Sequence, residues 1–135
     1  MIIGIGSDLV YIPRIAETYK NQGERFLNRC FALPEIEYVL SSENVDVQAG
    51  RLAKRWAAKE AVAKALGTGI AQFVSLKDIY VINDDNGRPI VLLENTAKDK
   101  LSELAKNKGT PKIHLSLTDE ANYAQAFVVL SVERD

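Results

Sequence analysis

Asp8, Glu60 and Lys64 are the residues in this 135-residue chain whose types and spacing best suit chemistry. Glu60 and Lys64 lie four apart in the run RWAAKEAVAKALGTG at positions 55 to 69, so they share a helix face, with Trp56 one turn before them. The run is rich in alanine and therefore strongly helical, and Gly67 suits the left-handed cap that ends many helices. Asp8 follows Gly4 and Gly6 at the expected end of a strand, where glycines let a backbone or a ligand come close. Two such carboxylates are about what Mg²⁺ takes from a protein when phosphate oxygens and water complete its shell. A carboxylate and an ammonium leading into Gly67-Thr68-Gly69 suggest a phosphorylated ligand and its metal. The plainer reading is an amphipathic core helix with ordinary ion pairs and a turn or capping aspartate, and spacing alone favours it.

His114 is the single histidine. It sits in IHLSL, where period 2 sets His114, Ser116 and Thr118 on the face opposite Ile113, Leu115 and Leu117. It reads as a surface residue or as a donor to a phosphate. Arg14, Lys20, Arg25 and Arg29 are candidates for a local basic surface, or simply for solvated helix faces. Cys30 stands alone, which excludes an intrachain disulfide and suits a small buried hydrophobe. There is no GxxxxGK[ST] loop, GIGSDL is not GxGxxG, and no GxSxG occurs, so nucleotide-binding Rossmann and hydrolase readings are disfavoured.

Short elements must position these groups. A strand is expected over residues 2 to 6, then a helix opened by Pro13 with the stripe Ile12, Ile15, Ala16 and Tyr19. Gly23 breaks it; Phe26-Leu27 and Cys30-Phe31 mark another helical turn or two, and Pro34 opens a helix over 35 to 40. Asn44 or Asp46 caps the long helix, which runs to about Leu66. The stretch from Phe73 leads into a strand over 79 to 82, and Asp85-Asn86-Gly87 turns it back into Pro89 to Leu93. Asn95 or Thr96 caps a further helix, and strands over 113 to 117 and 123 to 132 flank a turn at 118 to 122. Helices with mostly hairpin-connected strands imply a single α+β domain, residues 1–135.

Composition fits that size and class, with 47% hydrophobic and 26% charged residues. With 17 basic against 18 acidic residues the net charge is −1, so no global field recruits nucleic acid. The N-terminal MIIGIGSD reads as a strand rather than a signal peptide, and no apolar run reaches membrane-spanning length. A cytoplasmic location with no membrane partner is the expectation.

Taken in order, the segments GIGSDLVYIPRI (4–15), RFLNRCFALPEIEYV (25–39), RLAKRWAAKEAVAKALGTGI (51–70), NDDNGRPIVLL (83–93) and IHLSLTDEANYAQAFVVLSVE (113–133) resemble those of bacterial holo-[acyl-carrier-protein] synthases. These are the small stand-alone 4′-phosphopantetheinyl transferases. The resemblance spans nearly the whole chain. It implies an α+β fold with a mainly antiparallel sheet packed on a long central helix, assembled as a homotrimer with active sites at subunit boundaries. It implies transfer of the phosphopantetheine arm of coenzyme A to a serine of apo-acyl carrier protein, releasing adenosine 3′,5′-bisphosphate, with Mg²⁺ required, in fatty acid biosynthesis. The family's metal-binding acids match Asp8 and Glu60, and its CoA-contacting positions match Arg55, Lys64, Gly67, His114 and Ser116. Asp8, Glu60 and Lys64 form the implied catalytic set, with Arg55 and His114 at the 3′-phosphate. Arg14, with Lys20 and Arg25, matches the basic helix that meets the acidic carrier protein. Glu60 is the first choice of general base and Glu35 the second. Many relatives carry Ser-His where this chain has Leu117-Thr118, which is a departure. A non-catalytic CoA- or nucleotide-binding module of the same fold is the alternative, and a purely structural protein the third reading.

Overall fold

Pairing with the C-terminal strand carries the N-terminal strand well past its glycines: β1 is Ile2–Tyr11, and Ser7 to Tyr11 lie opposite Phe127 to Tyr123. Asp8 therefore lies inside a strand rather than at its end. The computed structural model describes residues 1–69 and 74–134. β1 pairs antiparallel with β5 (Tyr123–Glu133), and β5 with β4 (Thr110–Glu120), giving the order β1-β5-β4. A separate hairpin joins β2 (Ile79–Asn83) to β3 (Pro89–Leu93). The α+β expectation is borne out.

Between β1 and the hairpin run α1 (Ile12–Gln22), α2 (Glu24–Cys30), α3 (Leu33–Leu40) and α4 (Val45–Ala65). Asn44, rather than Asp46, caps α4, its side chain accepting from the amides of Asp46 and Val47. At the other end Gly67, at φ 77°, closes a Schellman cap: its amide donates to Lys64 O and that of Thr68 to Ala63 O, both at 3.0 Å. The lead-in to β2 begins, among the described residues, with a 3₁₀ turn at Leu76–Asp78; Phe73 lies outside them. α5 (Asn95–Ala105) has Glu94 at its N-cap, with no side-chain cap from Asn95 or Thr96. Asn95 is instead held at φ 52° with its amide donating to Asp78 Oδ1. The β4–β5 strands reach closer together than expected, because Thr118, Asp119 and Glu120 continue the ladder with solvated side chains.

α4 is buried around most of its circumference, so it is a central helix rather than a one-faced amphipath. Its alanines permit this: Ala53, Ala57, Ala58 and Ala61 are fully buried. β1 crosses it at backbone contact. A Cβ on Gly4 would sit 2.2 Å from Ala65 O, and one on Gly6 2.0 Å from Ala61 O. Ala126, Val128 and Leu130 of β5 complete the inner sheet face, and one hydrophobic cluster joins it to Phe26, Phe31 and Val39.

Two charges lie wholly inside. Lys59 Nζ donates to Glu35 Oε1, to Leu76 O at 2.9 Å and to Ile79 O at 2.6 Å. The Glu35 carboxylate also accepts from the amides of Ala32 and Val81. This junction ties α3, α4 and β2 together and removes Glu35 from any role as an accessible base. Because Lys59→Met leaves Glu35 buried without a counter-charge, it should cost about 3–5 kcal/mol. Denaturant unfolding checks this, and a loss under about 1 kcal/mol would show that water already reaches the pair.

Candidate active site

The glycine-mediated approach of β1 to α4 builds the site. Gly4, Gly6, Asp8 and Val10 alternate toward the helix, so Asp8 emerges beside the α4 turn that carries Glu60 and Lys64. Lys64 Nζ bonds Asp8 Oδ1 at 3.2 Å and Ser7 O at 3.0 Å. Burial raises the Glu60 carboxyl above the ordinary carboxylate range; the Asp8 charge raises it further, and Lys64 opposes both. Asp8 and Glu60 line one cavity of about 350 Å³ with Arg14, Ile15, Thr18, Phe26, Arg29 and Trp56.

Two mutually repelling carboxylates at a cleft are a donor set that a hard cation relieves. Among the described residues no group of three or more His, Cys, Asp or Glu is placed to share a metal. Two carboxylates could hold a hard cation such as Mg²⁺ only if its remaining positions were filled from outside the chain, by ligand oxygens or water.

The other expected residues fall elsewhere. Arg14 lines the Asp8–Glu60 cavity, whereas Lys20 lines a different one of about 650 Å³ with Pro13, Leu27, Leu40 and Val45. Arg25 is exposed on α2 and lines neither; Arg29, one turn on, bonds Gln22 and does line the first. Trp56 both packs, 6.0 Å from the Phe26 ring, and lines that cavity. Gly67 is exposed beyond α4.

Arg55 is only 3% exposed, stacked on Tyr38 and bonded to Asn83 Oδ1 at 3.3 Å. His114, Ser116 and Thr118 occupy the outer sheet face, as their alternation predicts, and so lie across the sheet from Asp8. The His114 ring shares a 2.9 Å hydrogen bond with Ser131 and a small cavity with Asp84, Arg88 and Pro89 at the foot of the β2–β3 hairpin. Asn83, the partner of Arg55, ends the strand next to that cavity. Sequence reasoning missed Tyr38, Asn83 and Arg88. The NDDNGRPIVLL segment, which holds Asn83 and Arg88, signals a hairpin and part of the family resemblance, but no contact to Arg55 or His114.

Comparison with known proteins identifies the family. A sequence model described as the 4′-phosphopantetheinyl transferase superfamily matches residues 4–128. A holo-[acyl-carrier-protein] synthase of Roseobacter denitrificans is 46% identical over 130 residues, covering 96% of this chain and 95% of its own. One from a Wolbachia of Culex pipiens is 45% identical over 133 residues, covering 98% and 100%. The crystal structure of a holo-(acyl-carrier-protein) synthase from Bacillus anthracis, in complex with CoA (3′,5′-ADP), superposes with TM-score 0.78 at 32% identity, covering 98% of this chain and 99% of its own. A fold with Asp8, Glu60 and Lys64 at one cleft and this span of likeness have one conclusion: the chain belongs to the holo-[acyl-carrier-protein] synthase family of 4′-phosphopantetheinyl transferases.

Proposed function

We propose that this chain, acting as one domain, transfers the 4′-phosphopantetheine arm of coenzyme A to a serine of apo-acyl carrier protein. The observation that carries this is the convergence of Asp8, Glu60 and Lys64 on one cleft edge. In the reaction the serine oxygen bonds to the β-phosphorus, the bond from that phosphorus to the bridging oxygen breaks, and adenosine 3′,5′-bisphosphate leaves. Such a reaction is driven mainly by positioning and charge neutralisation. Asp8 and Glu60 would hold Mg²⁺, which when bound offsets the charge of the diphosphate. The Lys64 ammonium, held by Asp8 and Ser7, would balance charge on the leaving oxygen. Glu60, ionised, takes the serine proton directly or through a water. Gly67 leaves the end of α4 open to the donor, and Arg55 serves its 3′-phosphate.

His114 and Ser116 belong to the same reading through a second copy of the chain. Their sheet face also exposes Ile5, Leu9 and Phe127, at 62%, 61% and 49%. An apolar strip of this kind favours self-association. A homotrimer would bury it and bring His114 and Ser116 of one copy toward the donor bound by another. Cytoplasmic action in fatty acid biosynthesis completes the proposal; no helix among the described residues is long and apolar enough to cross a membrane.

Arg14, exposed on α1 and lining the cavity of Asp8 and Glu60, is the carrier-protein contact nearest the chemistry; Lys20 and Arg25, which lie outside that cavity, would extend the contact beyond it. Arg14→Glu should raise KM for carrier protein by about tenfold or more and leave CoA affinity unchanged. Steady-state kinetics with each substrate varied in turn checks this; equal loss for both would remove the carrier contact from the proposal. The function itself is tested by incubating the protein with CoA, Mg²⁺ and apo-acyl carrier protein and reading intact mass. A gain of one phosphopantetheine is expected. CoA binding with no mass gain would mean a non-catalytic module.

A further inference from the structure

Tyr38 gathers two cations that have no anion. The Arg51 guanidinium carbon lies 4.3 Å from the centre of its ring and that of Arg55 4.5 Å. Among the described residues neither arginine forms an ion pair with a carboxylate. Arg51 donates to Tyr38 O at 2.7 Å and Ser41 Oγ at 2.9 Å, so it is fixed by neutral groups. Arg55 is almost wholly buried, donates to Asn83 Oδ1, and has its Nε–H without a partner. Burial pulls its pKa down, and Arg51 adds to that, while Tyr38 and Glu35 oppose it. A buried cation with an unpaired donor beside a like charge is a costly arrangement unless something anionic completes it. The rungs are also ordered in the fold. Arg51, Arg55 and Lys59 follow at intervals of four on α4, facing Tyr38 and Glu35 of α3 and the 79–83 strand. Glu35 already answers Lys59, so the uncompensated charge lies at Arg51 and Arg55.

We propose that Tyr38 is a positioning residue of the transferase: its ring holds Arg51 and Arg55 as a guanidinium pair, aimed with the help of Asn83 at the 3′-phosphate of the CoA donor. A phosphate monoester carries close to two negative charges near neutral pH, and guanidinium forks match its oxygens. Aromatic stacking orients a guanidinium without consuming its donors, which a carboxylate partner would do. Tyr38 touches neither substrate in this scheme; it acts through Arg55. The inference rests on the transfer activity proposed above and deepens it by naming what sets donor selectivity.

The test compares kcat/KM for CoA and for 3′-dephospho-CoA in the full-length protein and two variants of Tyr38. Tyr38→Leu should lower kcat/KM for CoA by about 10- to 100-fold, through KM, while 3′-dephospho-CoA stays within about twofold. Tyr38→Phe, which keeps the ring, should retain the original preference. Equal losses for both donors, an unchanged preference in Tyr38→Leu, or a Phe variant as impaired as the Leu variant would each overturn the proposal. Should Tyr38→Leu melt below the assay temperature, Asn83→Ala at an exposed strand end takes its place; selective loss of CoA use supports the clamp and an unaltered ratio refutes it. Absence of any transfer by the unaltered protein would instead refute the underlying activity.

Discussion

Glu60→Gln is expected to lower transfer by about three orders of magnitude and to leave the metal-free protein at least as stable as before. The first part follows from charge. A metal-stabilised phosphoryl transition state is worth several kcal/mol, and each 1.4 kcal/mol is about tenfold in rate. Glutamine keeps the shape of Glu60 but offers a cation no charge. The second part follows from the direction of its pKa. Burial, then Asp8, hold the Glu60 carboxyl above the ordinary range, so the folded state binds its proton more tightly than the unfolded one. Such a group destabilises the fold at neutral pH, and that penalty disappears as pH falls through the raised pKa. Removing the charge should therefore not lower the melting temperature. Activity runs the other way: it needs ionised Glu60, so it should fade at a higher pH than an unperturbed carboxylate would dictate, and added Mg²⁺ should push the fade lower. Turnover in saturating Mg²⁺ and melting without metal check both halves. Near-normal turnover would remove Glu60 from the site.

Gly6→Ala should damage both stability and activity, the second more than the first. The added Cβ would meet Ala61 O at 2.0 Å, and the Ala65 amide nitrogen at 2.8 Å. Both are backbone atoms, so no side-chain rotation relieves the clash; β1 must move off α4. Overpacking of this kind costs about 1–3 kcal/mol, and more where backbone must shift. The same displacement separates Asp8 from Glu60 and Lys64, and a misplacement of about 1 Å can cost on the order of 10²-fold in rate. Denaturant midpoints and kcat measured together check the coupling. Loss of stability with full kcat would show that the Asp8 position tolerates movement of β1.

What was readable in the sequence was local. The i,i+4 pair Glu60 and Lys64, the Gly67 cap and the outward face of His114 follow from periods fixed within one element. Gly4 and Gly6 signalled a close approach, although not to which element. What was hidden depends on packing between elements. That Arg55 is covered follows from α3 and β2 closing over an alanine-rich helix, and nothing in its own neighbours says so. That His114 and Asp8 lie on opposite sides of one sheet follows from the register of β1, β5 and β4. Arg14 and Lys20 look equivalent as charges, yet they line different cavities because they sit on different sides of α1. β1 and β4 run longer than their sequence suggests, because Asp8 resembles the end of a strand and the polar residues Thr118 to Glu120 a turn, whereas β5 keeps its expected span within a residue.

The most direct test of the account is anomalous diffraction from crystals grown with Mn²⁺ and CoA. One ion is expected, with an oxygen of Asp8 and an oxygen of Glu60 each at roughly 2.2 Å, and with diphosphate oxygens of CoA in its shell. An ion bound to the diphosphate while either carboxylate stays outside its shell would contradict it.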